Sequence, residues 1–467
     1  MVAALAIMAT STVLIGSAGG EVIACGAVIT RDTTLSADVG PCPGEGVVIA
    51  ADGVTLDLNG HTLRGNPEAR RGVDKVGIRL QGVTGVTVRG GTVAGFDAGV
   101  AIMGGASNTV RGVTARDNVN YRIVTGRNSQ PEDIVPDVGP YCDFGDGITV
   151  FDSHDNVLEG NNVFGNGPFS GLSLVFDSDD NVVVDNEVHD NDVLNETPDG
   201  QGTVCGSTAN GPVPDPPPFC CDAFGRHSQG VGVRLEGPGA ERNRVQGNDI
   251  GRNGLAGVLI SGYHLEFGAN NGFNLVRANR IHQTGLRVHD SLGDGTEAYR
   301  SSGIQLHHSG PEFIHVSYGN LIEGNDSSRN FAAGIEVTGP TPGSGVMGVH
   351  GNTIRDNVVD GNALDGIHLA EGTVKTVVSG NRGVGNGRDD QRVEEISDGD
   401  IYANWDGVDG GDYNPSCGSN QWSRNRFGSV NQRCAAAEGT GEVEGAGPPG
   451  GARGSGMPFL RGRPDGV

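Results

Sequence analysis

The sequence predicts an all-β solenoid, a single-stranded parallel β-helix of about ten or more short coils with loop insertions. Three observations lead to this prediction. The composition is rich in glycine and poor in aromatic residues, asparagines recur at five-residue intervals, and extended segments show no helical periodicity. Each coil of such a fold adds only a thin layer to the core, and a tight turn follows each strand.

The composition narrows the class of protein. The chain has 467 residues, of which 81 are glycine, and only 36% are hydrophobic and 5% aromatic. No Gly-X-Y period is present, which excludes collagen, and long valine- and isoleucine-bearing stretches argue against disorder. The formal net charge of −25 argues against nucleic acid and anionic membranes as partners, because so acidic a surface repels them.

An internal repeat is the main signal of the fold. Residues 147–156 read Gly-Ile-Thr-Val-Phe-Asp-Ser-His-Asp-Asn, and residues 171–181 read Gly-Leu-Ser-Leu-Val-Phe-Asp-Ser-Asp-Asp-Asn. Aliphatic or β-branched residues lie between asparagines five residues apart, which is typical of short strands separated by turns. The asparagine sets are Asn156, Asn161 and Asn166; Asn181, Asn186 and Asn191; Asn243, Asn248 and Asn253; Asn320, Asn325 and Asn330; Asn352, Asn357 and Asn362; and, after Thr376, Asn381 and Asn386.

This spacing predicts stacked turns. Asparagine tolerates left-handed backbone geometry, and its side-chain amide can bond an identical amide one layer away. Such stacking satisfies polar groups that would otherwise be buried without partners. We therefore expect a ladder at one corner, in which Asn156, Asn181 and Asn243 superpose, along a rod near ~50 Å long if the coils are ~4.8 Å apart.

Two segments near the ends of the array carry a family resemblance. Residues 51–62, Ala-Asp-Gly-Val-Thr-Leu-Asp-Leu-Asn-Gly-His-Thr, resemble the opening coils of bacterial right-handed parallel β-helix repeat proteins of the pectate-lyase-like superfamily. Residues 417–427, Cys-Gly-Ser-Asn-Gln-Trp-Ser-Arg-Asn-Arg-Phe, are similar to their final coil. The resemblance spans residues 25–434 and implies a right-handed helix. It implies no single activity, because this architecture hosts pectate and alginate lyases, mannuronan epimerases, glycosidases and non-enzymatic surface proteins.

The ends of the chain differ from the repeat array. Residues 1–20 combine a short apolar run with small residues, which predicts a secretory signal peptide cleaved near Ala18. The run is shorter than the roughly 20 apolar residues of a membrane anchor, so we expect a secreted or cell-surface protein without membrane insertion. The β-helix domain is expected over residues 21–436, and the Gly- and Pro-rich residues 437–467 indicate a disordered tail.

Export makes disulfides permissible. Cys25 and Cys42 lie close in sequence at one end of the array and Cys417 and Cys434 at the other, so we pair each couple. Closing such a loop is worth roughly 3 kcal/mol. The alternative for Cys25 is lipidation, because Val-Ile-Ala-Cys resembles a lipoprotein box, and the alternative for the four cysteines named next is a zinc site. Four further cysteines fall in long insertions and are expected to cross-link them by disulfides: Cys142, Cys205, Cys220 and Cys221.

Interruptions of the repeat predict where a site lies, because repeat arrays carry function where the repeat is broken. One set of insertions precedes a strand of the type Gly-Ile-x-Val, at residues 119–146 and 192–229 and before Gly303. A second set follows that strand, at residues 262–271, 308–317 and 339–349. Walls on both sides of one stacked sheet make a groove, the shape that a linear polymer needs.

The floor of this groove follows from the strand pattern. In Gly-Ile-x-Val the aliphatic side chains point inward, so x points outward. We expect His307, Glu336 and His368 to stack one layer apart as catalytic residues, since such a set suits acid–base chemistry or a metal. An ordinary polar outer face explains the pattern equally well. The full outward set is Thr149, Ser173, Arg234, Glu236, Ser261, Gln305, His307, Glu336 and His368, and the expected substrate-binding residues are Arg234, Glu236, Gln305 and, on an insertion, Tyr263.

Two further motifs lie within or beside the same repeat. Residues 151–154, Phe-Asp-Ser-His, resemble the Asp-Pro-His motif of mannuronan epimerases, with Ser153 in place of proline. The same frame at 176–179 reads Phe-Asp-Ser-Asp, which favours drift of the repeat. Asp143, Asp146 and Asp222 are candidate ligands for a divalent cation such as calcium, although no Asp-x-Asp-x-Asp loop is present. No other cofactor is expected.

The available side chains favour one reaction class. Hydrolysis of a glycoside needs two carboxyls about 5–10 Å apart, whereas Glu236 and Glu336 are at least three coils apart, or roughly 14 Å. Removal of the C5 hydrogen of a uronate needs a base, which a histidine can supply. It also needs a positive charge or a hydrogen-bond donor at the uronate carboxylate, which Arg234 or Gln305 can supply. The sequence therefore favours a uronate lyase or C5-epimerase that acts on an extracellular acidic polysaccharide. A non-catalytic carbohydrate-binding or cell-surface protein and a glycosidase are the alternatives, and the oligomeric state is open.

Overall fold

A computed structural model gives the architecture. Every regular element in the described residues is a β-strand, and neighbouring strands pair in parallel, so the predicted all-β parallel β-helix is confirmed. The described residues are 20–66, 75–119, 146–167, 169–191, 230–237, 239–261, 271–284, 302–307, 317–337, 349–369, 373–387, 408–409 and 420–428.

The first stack of strands is a twelve-stranded sheet, called the front sheet below. Its members are the Gly-Ile-x-Val strands and their counterparts at either end. They are β1 (Ala27–Ile29), β4 (Val47–Ile49), β7 (Val76–Gln81), β9 (Ala98–Met103), β11 (Asp146–Phe151), β14 (Ser170–Val175), β17 (Val231–Glu236), β20 (Val258–Ser261), β24 (Ile304–His307), β28 (Ile335–Val337), β30 (Ile367–Leu369) and β33 (Val408–Asp409).

Two further stacks complete each coil. The second consists of β2 (Thr33–Thr34), β5 (Thr55–Asp57), β8 (Thr87–Ala94), β10 (Thr109–Arg116), β12 (Val157–Glu159), β15 (Val182–Val184), β18 (Arg244–Gln246), β22 (Leu275–Arg277), β26 (Leu321–Glu323), β29 (Thr353–Arg355), β31 (Val377–Ser379) and β34 (Gln421–Ser423). The third contains β3 (Val39–Cys42), β6 (Thr62–Gly65), β13 (Asn162–Phe164), β16 (Glu187–His189), β19 (Asp249–Gly251), β23 (Arg280–His282), β27 (Asp326–Ser328), β32 (Arg382–Gly383) and β35 (Arg426–Phe427), and a short pair consists of β21 (Asn271–Gly272) and β25 (Ser317–Tyr318). Strands β8 and β10 are long enough to enter both stacks, and they bend at Gly90 and Gly112, whose φ angles are +58° and +59°.

The asparagines form three ladders rather than the single ladder expected from the sequence. A three-residue strand and a two-residue turn occupy five residues, so each five-residue step reaches the next corner of the same coil. The ladders contain Asn108, Asn156, Asn181, Asn243, Asn274, Asn320 and Asn352; Asn161, Asn186, Asn248, Asn279, Asn325, Asn357, Asn381 and Asn425; and Asn118, Asn166, Asn191, Asn253, Asn330, Asn362 and Asn386. The predicted superposition of Asn156, Asn181 and Asn243 is confirmed.

The left-handed residue at these corners is the one before the asparagine. Asp155 has a φ of +56° and Asp180 a φ of +57°, while Asn156 and Asn181 are fully buried. Both the backbone N–H and the side-chain amide of Asn156 donate to Oδ1 of Asn181, each at 2.9 Å. The ladder therefore supplies partners for buried backbone groups at turns that a regular sheet would leave unpaired.

The core is a column of aliphatic side chains. In one coil Ile148, Val150, Leu158 and Val163 point inward and are fully buried. The glycine before each inward isoleucine is required by space, because a Cβ at Gly147 would come within 2.5 Å of Val163 Cγ1 and 2.8 Å of the Asn166 amide nitrogen.

The amino-terminal coils are cross-linked. Cys25 and Cys42 form a disulfide, as the sequence predicted. The other predicted pair, Cys417 and Cys434, and the four insertion cysteines lie outside the described residues, as do residues 1–19 of the predicted signal peptide and the predicted tail. Within the described residues no helix has the length and apolar character needed to cross a membrane.

Candidate functional site

The outward face of the front sheet carries the predicted site residues. The register aligns position x of successive coils in one column: Arg79, Ala101, Thr149, Ser173, Arg234, Leu259, Gln305, Glu336 and His368. A second column lies two residues further along each strand: Gln81, Met103, Phe151, Val175, Glu236, Ser261 and His307.

The expected stack of three catalytic residues is only partly realised. Glu336 and His368 are direct neighbours on β28 and β30. His307, however, pairs with Ser261 in the second column, and Gln305 is the residue that precedes Glu336 in the first. Residues two apart on a strand face the same side, so His307 lies beside the column rather than within it.

This face is buried, unlike an ordinary polar surface. Arg234 is 3% exposed, Gln305 2% and His368 5%, and His307 and Glu336 are half-buried. Burying charged groups costs several kcal/mol each unless they are paired. A solvated outer face, the alternative explanation of the sequence pattern, therefore does not describe these residues.

Apolar side chains divide the face into three polar centres. The central centre contains Asp146 and Arg234, the carboxy-terminal centre contains Glu336 and His368, and the amino-terminal centre contains Arg79 and Asp97. The separation confines each set of charges to a few neighbouring coils. The two apolar clusters are Val76, Ala98, Ala101 and Met103, and Val231, Leu255, Ala256 and Leu259.

The central centre begins with a buried aspartate. Asp146 is fully buried, and its Oδ2 accepts hydrogen bonds from Thr149 at 2.9 Å and from Ser173 at 2.7 Å. Its Oδ1 accepts a bond from Ser170. Three hydroxyl donors thus compensate the lost hydration of this carboxylate.

An ion pair completes the central centre. Arg234 Nη1 lies 3.0 Å from Glu236 Oε2, and Arg234 Nη2 lies 3.8 Å from Asp146 Oδ2. The guanidinium also stands over the ring of Phe169, 5.2 Å from its centroid. Burial raises the pKa of Glu236, even though the charge of Arg234 opposes this. Because two carboxylates surround Arg234, its positive charge is already offset within the protein.

The carboxy-terminal centre gathers donors on Glu336. The hydroxyl of Ser302 and the side-chain amide of Gln305 both donate to Glu336 Oε2, the amide at 3.2 Å. Residues 302–305, which lead into β24, thus present two donors to a carboxylate on β28. Gln305 was expected from the sequence, whereas Ser302 was not.

A histidine–aspartate pair lies on the neighbouring strand. His368 Nδ1 is 2.9 Å from Asp365 Oδ2, and the two side chains are 6% and 3% exposed. A carboxylate in this position fixes the ring orientation and favours the tautomer with hydrogen on Nδ1. Nε2 is then the nitrogen that can take a proton. The carboxy-terminal centre therefore combines a positioned base, a second carboxylate and two donors.

A short sequence pattern marks the two aspartates. Asp146-Gly147-Ile148-Thr149 and Asp365-Gly366-Ile367-His368 share the pattern Asp-Gly-Ile-x. Glycine and isoleucine both face the core, so strand alternation is interrupted. The aspartate therefore reaches the same outward side as residue x, three positions later, and contacts it in both coils.

The amino-terminal centre was also missed. It comprises Glu45, Lys75, Arg79 and Asp97, with Arg79 ion-paired to Glu45 and the Lys75 backbone N–H donating to Asp97 at 2.9 Å. Burial raises the pKa of Asp97 to about 6, against the lowering effect of that hydrogen bond. These residues precede the clear repeats, so no recurring pattern marked them.

The remaining candidates lie elsewhere. His154 is 60% exposed on the turn after β11 and is paired with Asp155, so the Asp-Ser-His segment is not on the front sheet. Among the described residues, no group of three or more His, Cys, Asp or Glu side chains is arranged to hold a metal ion. Tyr263, Asp143, Asp222 and most of each predicted insertion lie outside the described residues.

Comparison with known proteins bears on the fold. A family model described as "Right handed beta helix region" matches residues 45–213 and 226–407. None of the curated protein sequences matches significantly. The A-module of mannuronan C-5 epimerase AlgE6 of Azotobacter vinelandii is 15% identical, with 86% of this chain and 79% of that chain covered and a TM-score of 0.45.

Two other solved structures have comparable similarity. A mutant of the periplasmic alginate epimerase AlgG is 13% identical, covers 85% of this chain and 76% of its own, and has a TM-score of 0.48. The alginate lyase from Paenibacillus sp. strain FPU-7 is 14% identical, covers 77% of this chain and 86% of its own, and has a TM-score of 0.34. Similarity at this level concerns the fold, and it assigns no role to any residue.

Proposed function

Because this chain belongs to the right-handed β-helix family, we propose that it is a secreted protein that binds an extracellular acidic polysaccharide along its front sheet and removes the C5 hydrogen of a uronate residue. Such a step leads either to β-elimination, as in a lyase, or to C5 epimerisation. His368 is the proposed base, Asp365 its positioning residue, and His307 and Glu336 are further catalytic residues.

One observation carries the proposal: a carboxylate-held histidine stands next to a second carboxylate on the adjacent strand. The Asp365–His368 pair is buried, with 2.9 Å between its polar atoms, and Glu336 is the register partner of His368. A base that is held in one tautomer and one orientation transfers protons efficiently.

The developing charge also needs compensation. Loss of the C5 proton places negative charge on the uronate carboxylate, which positioned donors stabilise. Ser302 and one amide N–H of Gln305 already donate to Glu336, so we assign the second N–H of the Gln305 amide to the uronate carboxylate. Arg234 and Glu236 lie two layers away, about 10 Å along the stack, where they would contact a neighbouring sugar. A divalent cation that enters with the polymer would supply further positive charge.

Each reaction can be written with these groups. In elimination His368 takes the C5 proton, the C4–O4 bond breaks, and the departing O4 receives a proton from His307. In epimerisation the C4–O4 bond stays intact, and His307 returns a proton to C5 from the opposite face of the sugar ring. In both reactions Glu336 accepts hydrogen bonds from sugar hydroxyls and keeps the ring oriented.

The test is a substrate panel of alginate, polygalacturonate, glucuronan and glycosaminoglycans, each with and without calcium. A lyase yields an unsaturated uronate that absorbs in the ultraviolet, and an epimerase exchanges the C5 hydrogen for solvent deuterium. We expect His368→Ala to lower the rate at least ~100-fold, and Asp365→Asn to lower it and shift its pH profile. The exposed His154→Ala is the matched control and should leave the rate unchanged. Undiminished turnover by His368→Ala would refute the assignment.

A non-catalytic carbohydrate-binding protein is the second candidate. The observation in its favour is the burial of the outward face, where Arg234 and His368 are at most 5% exposed. Groups this buried exchange with a substrate only if the face opens. Retention of a polymer without product or deuterium exchange across the whole panel would favour this function.

A further inference from the structure

Three aromatic rings form a strip on the outside of consecutive coils. Phe273, Tyr318 and His350 stand at the corner of the first asparagine ladder, just after the second set of insertions. The ring centroids of Phe273 and Tyr318 are 5.0 Å apart, edge to face. Those of Tyr318 and His350 are 5.8 Å apart, and these rings are within 17° of parallel. We call these three residues the aromatic strip.

Glycines fix the position of the rings. Gly272 is the register partner of Tyr318, and a Cβ there would come within 2.7 Å of Tyr318 Cε1. A Cβ at Gly319 would likewise come within 2.9 Å of Phe273 Cε1. Each of the two coils thus places its ring over the glycine of the other. This reciprocal arrangement leaves the two rings edge to face and orders them before any ligand binds.

Phe273 occupies an unfavourable position. Its φ is +56°, and its side chain is 56% exposed. The corresponding turn residue in other coils is polar or glycine, as at Asp180, Arg242, Gly319 and Gly351. A bulky side chain in the left-handed region is rare, and an exposed ring gains little burial in return. Such a cost at an exposed ring points to use of the ring by a ligand.

Polar groups line one side of the strip. The Tyr318 hydroxyl donates to Glu241 Oε1 at 2.9 Å, and Arg242 Nη1 lies 3.2 Å from Glu241 Oε2. An exposed aromatic ring beside hydroxyl, carboxylate and guanidinium groups matches a pyranose ring, which has a C–H face and a rim of hydroxyls. The rings also follow one another at the coil spacing of ~4.8 Å, comparable to the repeat of a linear polysaccharide.

We propose that the aromatic strip is a sugar-binding subsite, in which the C–H faces of pyranose rings pack on Phe273 and Tyr318 while their hydroxyls bond to Glu241 and Arg242. This inference rests on the proposed function, since it assigns the strip to the same polysaccharide. The strip lies on the turn after the front-sheet strands, in the coils that contain Ser261, His307 and Glu336.

Affinity electrophoresis in native gels containing alginate, polygalacturonate or the neutral glucan laminarin tests the subsite. Burying roughly 60 Å² of apolar sugar surface at about 25 cal/mol per Å² corresponds to about a tenfold change in affinity. We expect Phe273→Gly and Tyr318→Ala each to weaken retardation about tenfold by the same arithmetic. Phe273→Gly also relieves the left-handed backbone, so unfolding cannot explain its loss of binding. The exposed Val384→Ala should migrate like the unmodified protein, and Tyr318→Phe should keep most of the affinity.

The outcomes separate this inference from the proposed function. Ring-dependent retardation with no turnover of any polymer supports the strip and removes the proposed reaction. Turnover abolished by His368→Ala, with retardation unchanged by Phe273→Gly and Tyr318→Ala, overturns the strip and keeps the reaction. Absence of retardation of the unmodified protein in all three gels also overturns the strip. The proposal is also overturned if size-exclusion chromatography shows a dimer that Phe273→Gly converts to a monomer, because the rings would then join two copies of the chain.

Discussion

Replacement of Asn186 by alanine tests the physical role of the ladders. Asn186 is 2% exposed. Its Oδ1 accepts from the backbone N–H and the side-chain amide of Asn161, both at 2.9 Å. Its own amide donates to the Leu158 carbonyl at 2.9 Å, to Val184 at 3.1 Å and to Asn248 Oδ1 at 2.9 Å. Alanine removes all five contacts from the middle of the ladder.

The expected cost follows from the groups left behind. The N–H of Asn161 and the carbonyl of Leu158 lose partners in a place that water does not reach. Each buried group left unsatisfied costs about 1–3 kcal/mol, so we expect Asn186→Ala to lower the free energy of unfolding by about 2–6 kcal/mol. Interruption of the amide chain above and below acts in the same direction.

Equilibrium unfolding in urea, followed by circular dichroism, measures this cost. Glu187→Ala is the matched control, because the neighbouring side chain is 65% exposed and points outward from the same coil. Surface replacements of this kind stay within about 0.5 kcal/mol. If Asn186→Ala destabilises no more than Glu187→Ala, the ladder amides do not stabilise the turns and the reasoning is refuted.

Three further predictions concern stability. Gly147→Ala should destabilise the protein strongly or prevent folding, because the new Cβ would come within 2.5 Å of Val163. Gly160→Ala should cost only about 1–2 kcal/mol, because Gly160 has open space around it and a φ of +58°. Similar melting temperatures for the two variants would contradict this prediction. Burial raises the pKa of Asp97 from 3.8 to about 6, so the neutral form is favoured in the folded state and stability is lost as the pH rises through 6. Asp97→Asn should therefore stabilise the protein by about 1–3 kcal/mol at pH 7 but not below about pH 4. If thermal unfolding shows the same stabilisation at both pH values, burial of the charged carboxylate is not the cause of the stabilisation. Replacement of Cys25 and Cys42 together by serine should cost roughly 3 kcal/mol in urea unfolding, and an unchanged midpoint would show that the cross-link contributes nothing.

The sequence by itself determined the architecture, the inward and outward sides of the front-sheet strands, and the Cys25–Cys42 disulfide. These features are local or periodic. A five-residue step between asparagines and the pattern Gly-Ile-x-Val are visible within one coil, and two cysteines 17 residues apart can be paired by proximity.

The tertiary structure alone decided which side chains meet across coils, how many ladders exist and how deeply the outward face is buried. Insertions of different length separate successive coils, so the residues in contact across neighbouring coils are 24 positions apart for Thr149 and Ser173 but 62 for Asn181 and Asn243. Sequence spacing therefore could not assign Gln305 rather than His307 to the column of Glu336. Sequence spacing also could not predict the contact between Asp365 and His368. The core-facing glycine between them interrupts the strand alternation on which the prediction depended.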